Sequence, residues 1–321
     1  VNLLQKLNVK KTNIRDESSA PIFYQFHKGK SDTPTMGGII IWGTVIGLAI
    51  IFFLLQKTFD GFANYFNFVS RAETYLPLAS LFFAAIIGLV DDIYGIVGKG
   101  PHGGGLSVKQ KLLLYTVISA VGAWWFYFRL GFNTLYIPFY GNITMGWWYI
   151  PFFLFILIAT SFSTNETDGL DGLAAGTLFF AFGALAVISF AMHRFDLAAM
   201  NAVILGAILA FLWFNIYPAR FFMGDTGSMS LGITLGVMVM LTNTALFLPF
   251  FGSILIFESA TVIIQVTSKK LRGKKVFLST PIHHHFEALG WPESQITMRF
   301  WIVSIVTTII GLTLFFLARF L

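Results

Sequence analysis

Leu78-Ala-Ser-Leu-Phe-Phe-Ala-Ala-Ile-Ile-Gly-Leu-Val90 runs without a charge and then meets Asp91-Asp92. With the preceding Tyr75-Leu-Pro77 it makes a candidate span over 75–92, close to the ~20 apolar residues that a helix needs to cross a bilayer. If the helix stops at the acidic pair, two carboxylates sit at its C-terminus. There they oppose the helix macrodipole and repel each other unless a cation or a shared proton intervenes. A solvated helix end is the plain alternative. A metal, a basic substrate group or proton transfer would each relieve the conflict.

The remainder of the chain repeats this pattern. Of 321 residues, 56% are hydrophobic and 11% charged, with 37 Phe, which excludes a soluble globular domain. Candidate spans fall at 37–56, 75–92, 112–130, 148–164, 173–192, 197–217, 227–243, 245–267 and 300–320. Backbone groups in lipid must bond within their own segment, so all are expected as helices. Pro249 and Gly252 are expected to kink their span without ending it. The expectation is an all-α polytopic membrane protein with nine predicted transmembrane helices. It forms one integral membrane domain over 1–321, with a polar arm at 1–36 and a basic, histidine-bearing loop at 268–299.

Cys is absent, so neither disulfides nor thiolate chemistry are available. The net charge of +6 reads as topology instead of nucleic-acid binding. Alternation of nine spans puts 16 of the 21 basic residues on one side, leaving Lys57, Arg71, Arg129, Arg194 and Arg319 near the other. That side is expected to be cytoplasmic. On the opposite side, Thr134–Trp147 has aromatic and β-branched runs flanking Gly141-Asn142, a two-residue hairpin signal. A short extracytoplasmic β-hairpin is expected there. The chain begins with Val, and an upstream truncation is the expectation.

The same alternation places every dense polar cluster on the basic side. Asn165-Glu-Thr-Asp168-Gly-Leu-Asp171-Gly172 carries three carboxylates in a helix junction. Asp168 and Asp171 share a face if this stretch opens the following helix, and capping by Asp171 is the alternative. Phe222-Met-Gly-Asp225-Thr-Gly227 holds a lone Asp in a glycine-bounded turn, which suits Mg²⁺ and its preference for oxygen ligands; an N-cap is again the alternative. Three consecutive imidazoles, His283, His284 and His285, do not face one point on a regular helix. Donors to phosphate or sugar hydroxyls therefore fit better than a compact zinc site. Lys269, Lys270, Arg272, Lys274 and Lys275 read as a membrane-surface patch. Glu258, near the middle of 245–267, is either a functional group or a buried hydrogen-bond partner of a neighbouring helix. Acidic, basic and imidazole groups beside an apolar bundle imply a substrate that joins phosphate to something lipid-soluble.

These clusters resemble a known family. Thr33-Pro-Thr-Met-Gly-Gly38, Asp91-Asp92, Asp168-Gly-Leu-Asp-Gly-Leu173, Phe222-Met-Gly-Asp-Thr-Gly-Ser228, Pro281-Ile-His-His-His-Phe-Glu287, Gly290-Trp-Pro292 and Arg299-Phe-Trp301 are similar to the phospho-N-acetylmuramoyl-pentapeptide transferase (MraY) family. That family lies within the polyprenyl-phosphate N-acetylhexosamine-1-phosphate transferases. The resemblance implies Mg²⁺-dependent transfer from UDP-N-acetylmuramoyl-pentapeptide to undecaprenyl phosphate, giving lipid I and UMP at the cytoplasmic face of the bacterial inner membrane. It implies Asp91, Asp92, Asp225 and His283 as catalytic residues, with Asp225 the metal ligand and Asp91 the base candidate. Lys30, Thr35, Lys111, Asn165, Asp168, Asp171, Phe222, His284 and His285 are implied as substrate-binding residues. A second copy of the chain, as a homodimer, is a further candidate partner.

Two departures accompany the resemblance. The family usually has about ten spans, and the one before Thr33 is expected to be lacking here, through a truncation upstream or a reduced N-terminus. It also reads Asn-Ala-Val-Asn-Leu-Thr-Asp where this chain has Phe162-Ser-Thr-Asn-Glu-Thr-Asp168, so Asn165 is the amide that remains. A UDP-N-acetylglucosamine transferase and an ion-coupled transporter are the alternatives. The transporter is disfavoured because the polar groups gather at one face instead of the midplane.

Overall fold

The computed structural model describes residues 33–58, 67–69, 72–100 and 104–320. Its helices are α1 (Gly38–Thr58), α2 (Ala72–Val97), α3 (Val108–Trp124, continued by a π-helical turn, Trp125–Arg129), α4 (Tyr149–Thr167), α5 (Leu173–Ala191), α6 (Phe195–Asn215), α7 (Gly224–Leu241), α8 (Leu248–Phe251), α9 (Ser253–Arg272), α10 (Ile282–Ala288) and α11 (Glu293–Phe320). Among the described residues eight helices are long and apolar enough to cross a membrane, or nine if the bent pair formed by Ala245–Phe251 and α9 is one span. The chain is a multi-pass membrane protein, and large apolar side chains such as Phe155 and Trp213 face outward, as a surface solvated by lipid allows.

Helix α7 is the centre of the bundle. From Thr226 to Leu241 every residue is buried, which removes any amphipathic stripe and explains an apolar pattern without a preferred face. It packs mainly on α2 and α4, with α1 and α5 completing its surround. Glycine permits this crowding. A Cβ at Gly232 would lie 2.7 Å from Ser161 Cα, and one at Gly236 would lie 2.6 Å from Thr160 Oγ1. Small residues at a helix interface allow such backbone approach in membranes.

Three sequence expectations are corrected by this architecture. Asp91 and Asp92 do not end a helix: α2 continues through Ile93-Tyr-Gly-Ile-Val97, so the clash with the helix terminus is absent at their positions. The expected span 245–267 turns by 89° at the break between Ala245–Phe251 and α9, a far sharper change than a kink. Glu258 lies beyond that break, in the second turn of α9.

The expected hairpin is present, with a different turn. β1 (Thr134–Ile137) and β2 (Gly141–Thr144) are antiparallel, with Thr134 opposite Thr144 and Ile137 opposite Gly141. The connection is therefore Pro138-Phe-Tyr140, and Gly141-Asn142 opens the second strand. Pro138 has no N–H to extend the ladder, and Phe139 takes the left-handed conformation at φ 63. Tyr136 ties the hairpin down: its N–H donates to Asn243 Oδ1 at 3.0 Å and its hydroxyl to the Ala318 carbonyl at 2.5 Å. This joins the ends of α7 and α11 on the face opposite the polar clusters.

Candidate active site

The motif Thr33-Pro-Thr-Met-Gly-Gly38 acts first through its backbone. Phe222 N–H donates to the Pro34 carbonyl, Gly37 N–H to the Phe222 carbonyl and Gly38 N–H to the Met223 carbonyl, each at 2.8 Å. The chain entering α1 is thus zipped to the chain entering α7. A Cβ at Gly38 would lie 2.3 Å from Gly227 Cα, so the glycine pair is required by contact. Thr35 is buried, and its Oγ1 lies against Gly224. Lys30 lies outside the described residues.

Asp92 is fully buried and caps α7, its two carboxylate oxygens accepting from Asp225 N–H at 3.1 Å and Thr226 N–H at 3.0 Å. A carboxylate at a helix N-terminus is favoured by unpaired amides and the macrodipole. Asp225 stands inside the first turn of that helix and so is not its cap. Gly88, one turn before Asp92, sets the α2–α7 separation, because a Cβ there would meet the Asp225 carbonyl oxygen at 2.3 Å.

Asp91 and Asp225 converge on Lys111. The ammonium lies 2.8 Å from Asp91 Oδ2 and 2.8 Å from Asp225 Oδ2. Lys111 is held there because Ser107 opens α3 with a reciprocal capping box: Gln110 N–H donates to Ser107 Oγ at 3.3 Å, and Ser107 N–H to Gln110 Oε1 at 2.8 Å. Asp91 also accepts from the Leu106 N–H. Asn165, in the last turn of α4, donates to Asp225 Oδ1 at 2.5 Å and to Ser228 Oγ at 3.0 Å. Side chains from α2, α3, α4 and α7 are therefore joined in one polar network through Asp225 and Lys111.

The acidic turn is a turn and not the first turn of α5. Asp168 ends α4, Gly172 precedes Leu173 in a left-handed conformation at φ 75, and no side chain caps α5. The expected shared helix face and the Asp171 cap are both absent. Asp171 is buried, and its Oδ2 accepts from Ala219 N–H at 2.9 Å. Its own N–H donates to Glu293 Oε1 at 2.6 Å. Asn215, which sequence reasoning passed over, braces the same region: its Oδ1 accepts from Gly172 N–H at 3.1 Å and its Nδ2 donates to the Phe221 carbonyl at 2.9 Å. The available signal was a lone amide closing the apolar run Phe211-Leu-Trp-Phe-Asn215. Glu293 carried no comparable signal.

Asp171→Ala is expected to leave the Ala219 amide without its acceptor, at a cost of about 1–3 kcal/mol. A lowered unfolding temperature in detergent would show this. Asp171→Asn, which keeps an accepting oxygen, should retain most of the parent stability, and equal losses in the two variants would refute the role.

The three histidines lie on α10 and diverge, as the helix geometry requires. His283 Nδ1 pairs with Glu258 Oε2 at 2.9 Å, His284 Nδ1 with Glu287 Oε2 at 2.6 Å, and His285 Nδ1 accepts from Leu278 N–H at 3.2 Å. Burial pushes the His283 pKa down, but Glu258, with Glu287 and Glu166 adding to it, outweighs burial and raises it above the ordinary value. His283 has no exposed surface, so it does not present itself to a ligand from this position. Half-buried Phe222 lies between the zipped backbone and α7.

Comparison with known proteins bears on the family. The model of glycosyl transferase family 4 matches residues 74–243, and the phospho-N-acetylmuramoyl-pentapeptide-transferase signature 1 matches residues 30–41. A phospho-N-acetylmuramoyl-pentapeptide-transferase of Desulforamulus reducens is 39% identical over 318 residues, covering 97% of this chain and 89% of the relative. One from Clostridium novyi is 38% identical over 302 residues (93% and 86%), and one from Shouchella clausii is 40% identical over 291 residues (89% and 84%). With bundle, acidic cluster and histidine helix all in place along that matched length, the chain belongs to the phospho-N-acetylmuramoyl-pentapeptide-transferase family.

Proposed function

We propose that the chain transfers phospho-N-acetylmuramoyl-pentapeptide from its UDP derivative to undecaprenyl phosphate, releasing UMP and leaving lipid I in the membrane as a peptidoglycan precursor. The convergence of Asp91 and Asp225 on Lys111, at the polar end of an apolar bundle, carries this reading. It joins a lipid-accessible helix face to groups suited to phosphate chemistry.

In the reaction an oxygen of the lipid phosphate forms a bond to the phosphorus that bears the sugar. The bond from that phosphorus to the bridging oxygen breaks, and UMP leaves with the electron pair. Both reactants are anions, so charge repulsion and positioning dominate the barrier. Lys111 lowers the repulsion by donating to phosphate oxygens. Asp91 positions the lipid phosphate and takes its proton when it arrives protonated. Asn165 orients Asp225, and Asp92 keeps the α7 terminus in register with α2. On the donor side the reading assigns Phe222 to the uracil, and Asp168, Asp171, His284 and His285 to the nucleoside and sugar region. Lys30 and Thr35 are assigned to substrate binding, as the family resemblance implies.

The donor set suits Mg²⁺. Asp91 and Asp225 already turn one oxygen each toward a shared cationic atom, and hard cations take such oxygens together with substrate phosphates and water. Asp225 would hold the ion, which when bound would neutralise pyrophosphate charge.

The purified chain, given UDP-N-acetylmuramoyl-pentapeptide, undecaprenyl phosphate and Mg²⁺, is expected to release UMP as lipid I forms. Equal or better release from UDP-N-acetylglucosamine would overturn the donor assignment. The site is assigned to the cytoplasmic face of a bacterial inner membrane, following the bias of basic residues. Because the chain has no Cys, single cysteines report this directly. Tyr140→Cys in the hairpin should label from outside and Lys275→Cys from inside, and the reverse pattern would invert the topology.

A further inference from the structure

We propose that Glu258 is a positioning residue for the donor side of the site: through His283 Nδ1 it seats the histidine ring against Gly169 and so fixes the wall beside the acidic turn. The inference rests on the transferase reading above.

Glu258 and His283 are both without exposed surface, and the carboxylate of one meets the ring of the other at 2.9 Å. An ionisable side chain on an intramembrane helix is costly unless it has a partner. This pair has further uncompensated atoms. Glu258 Oε1 and His283 Nε2 are buried and have no hydrogen-bond partner among the described residues. A buried polar pair kept in that condition requires an explanation beyond stability.

The surroundings supply one. A Cβ at Gly169 would lie 2.3 Å from His283 Nε2 and 2.8 Å from Cε1, so the ring edge rests on the backbone between Asp168 and Asp171. Behind the ring, α9 is fixed to α4 next to the carboxylate, by the Ser259 Oγ to Ser163 Oγ bond at 2.8 Å. Beside it, His284 packs edge-on with ring centroids 4.0 Å apart and is itself bonded to Glu287. The ring is therefore wedged between α9, which starts after the 89° break at Gly252 and packs on α4, and the turn that carries the candidate donor contacts. His283 has no open surface on which to receive a substrate, so its contribution is to hold Gly169, and that of Glu258 is to hold His283.

The test uses the full chain in lipid nanodiscs, with UMP release measured against each substrate. Glu258→Gln is expected to raise the donor KM about tenfold or more, with kcat and the lipid KM within about threefold of the parent. The two histidine replacements separate positioning from direct contact. His283→Asn keeps a donor near the Nδ1 position, whereas His283→Gln places its amide near Nε2 and loses the Glu258 bond. The donor KM should therefore rise less for Asn than for Gln, and Glu258→Gln combined with His283→Gln should be no worse than either alone. A spin label on Leu289→Cys, at the exposed end of α10, should gain a mobile component when Glu258→Gln is added. That spectrum does not depend on turnover. A parent chain that releases no UMP would defeat the transferase reading and leave the label result to judge the pair. The proposal is overturned if Glu258→Gln leaves the donor KM within about twofold, lowers kcat with both KM values alike, or leaves the label spectrum unchanged, or if Asn is no better than Gln at 283.

Discussion

Replacing Asp225 with Asn is expected to abolish UMP release to within assay limits, a loss of about a thousandfold or more, while the protein still folds. Asp225 Oδ2 meets Lys111 and Asp225 Oδ1 accepts from Asn165. An amide at 225 keeps one accepting oxygen but sets an N–H₂ group against an ammonium or an amide donor. It also removes one negative charge from the group that would hold the cation. Charge neutralisation on a transferring phosphoryl group contributes several kcal/mol, and each 1.36 kcal/mol is about tenfold in rate. The fold is expected to survive because the terminus of α7 is capped by Asp92 through backbone N–H groups that the substitution leaves in place. UMP release together with an unfolding curve in detergent makes the measurement. Turnover within about tenfold of the parent, from a folded protein, would remove Asp225 from the centre of the mechanism.

Gly88→Ala is expected to have the next largest effect, although Gly88 touches no substrate. Its missing Cβ would lie 2.3 Å from the Asp225 carbonyl oxygen, 2.5 Å from Asp225 C and 2.6 Å from Thr226 Cα. Backbone atoms cannot rotate away, so α2 and α7 must separate by roughly an ångström to restore ordinary contact. Overpacking of this kind costs about 1–3 kcal/mol. The movement also carries Asp91 and Asp92 away from Asp225, and a misplacement of about 1 Å can reduce a rate by roughly a hundredfold. Gly47→Ala is the matched control, because a Cβ there meets nothing within 4 Å. Comparable activity in the two variants would show that the α2–α7 distance is not what aligns the acidic groups.

These two positions differ in how far they were legible beforehand. Asp225 stood out as the one carboxylate of a glycine-bounded turn, and its membership of the site needed only the alternation of spans. Gly88 was indistinguishable from the other glycines of the apolar runs, because crowding is a property of pairs of helices. The same limit affected the acidic turn. Its charge density marked it correctly as part of the polar face, yet Asp171 turned out to be committed to Ala219, a contact 48 residues away. Lys111 was implied only by family resemblance, and nothing local to its sequence indicates that it joins Asp91 to Asp225. Glu258 was singled out because a charge in an apolar segment is costly, but its partner depended on the 89° turn that brings α9 beside α10.

The amino-acid sequence by itself determined that this is a multi-pass helical membrane protein with its polar loops on one side. The reason is solvation: lipid demands long apolar segments with internally bonded backbones, and that demand is written residue by residue. It also determined the family, because the motif residues and their order are local strings. The tertiary structure alone decided which carboxylates share a cation, which aspartates brace the turn, and that the expected span 245–267 breaks sharply at Gly252. Those outcomes depend on ångström-scale distances between segments far apart in the chain. They are set by glycine contacts such as Gly38 on Gly227 and Gly88 on Asp225, where the absence of a side chain has meaning only once its neighbour is known.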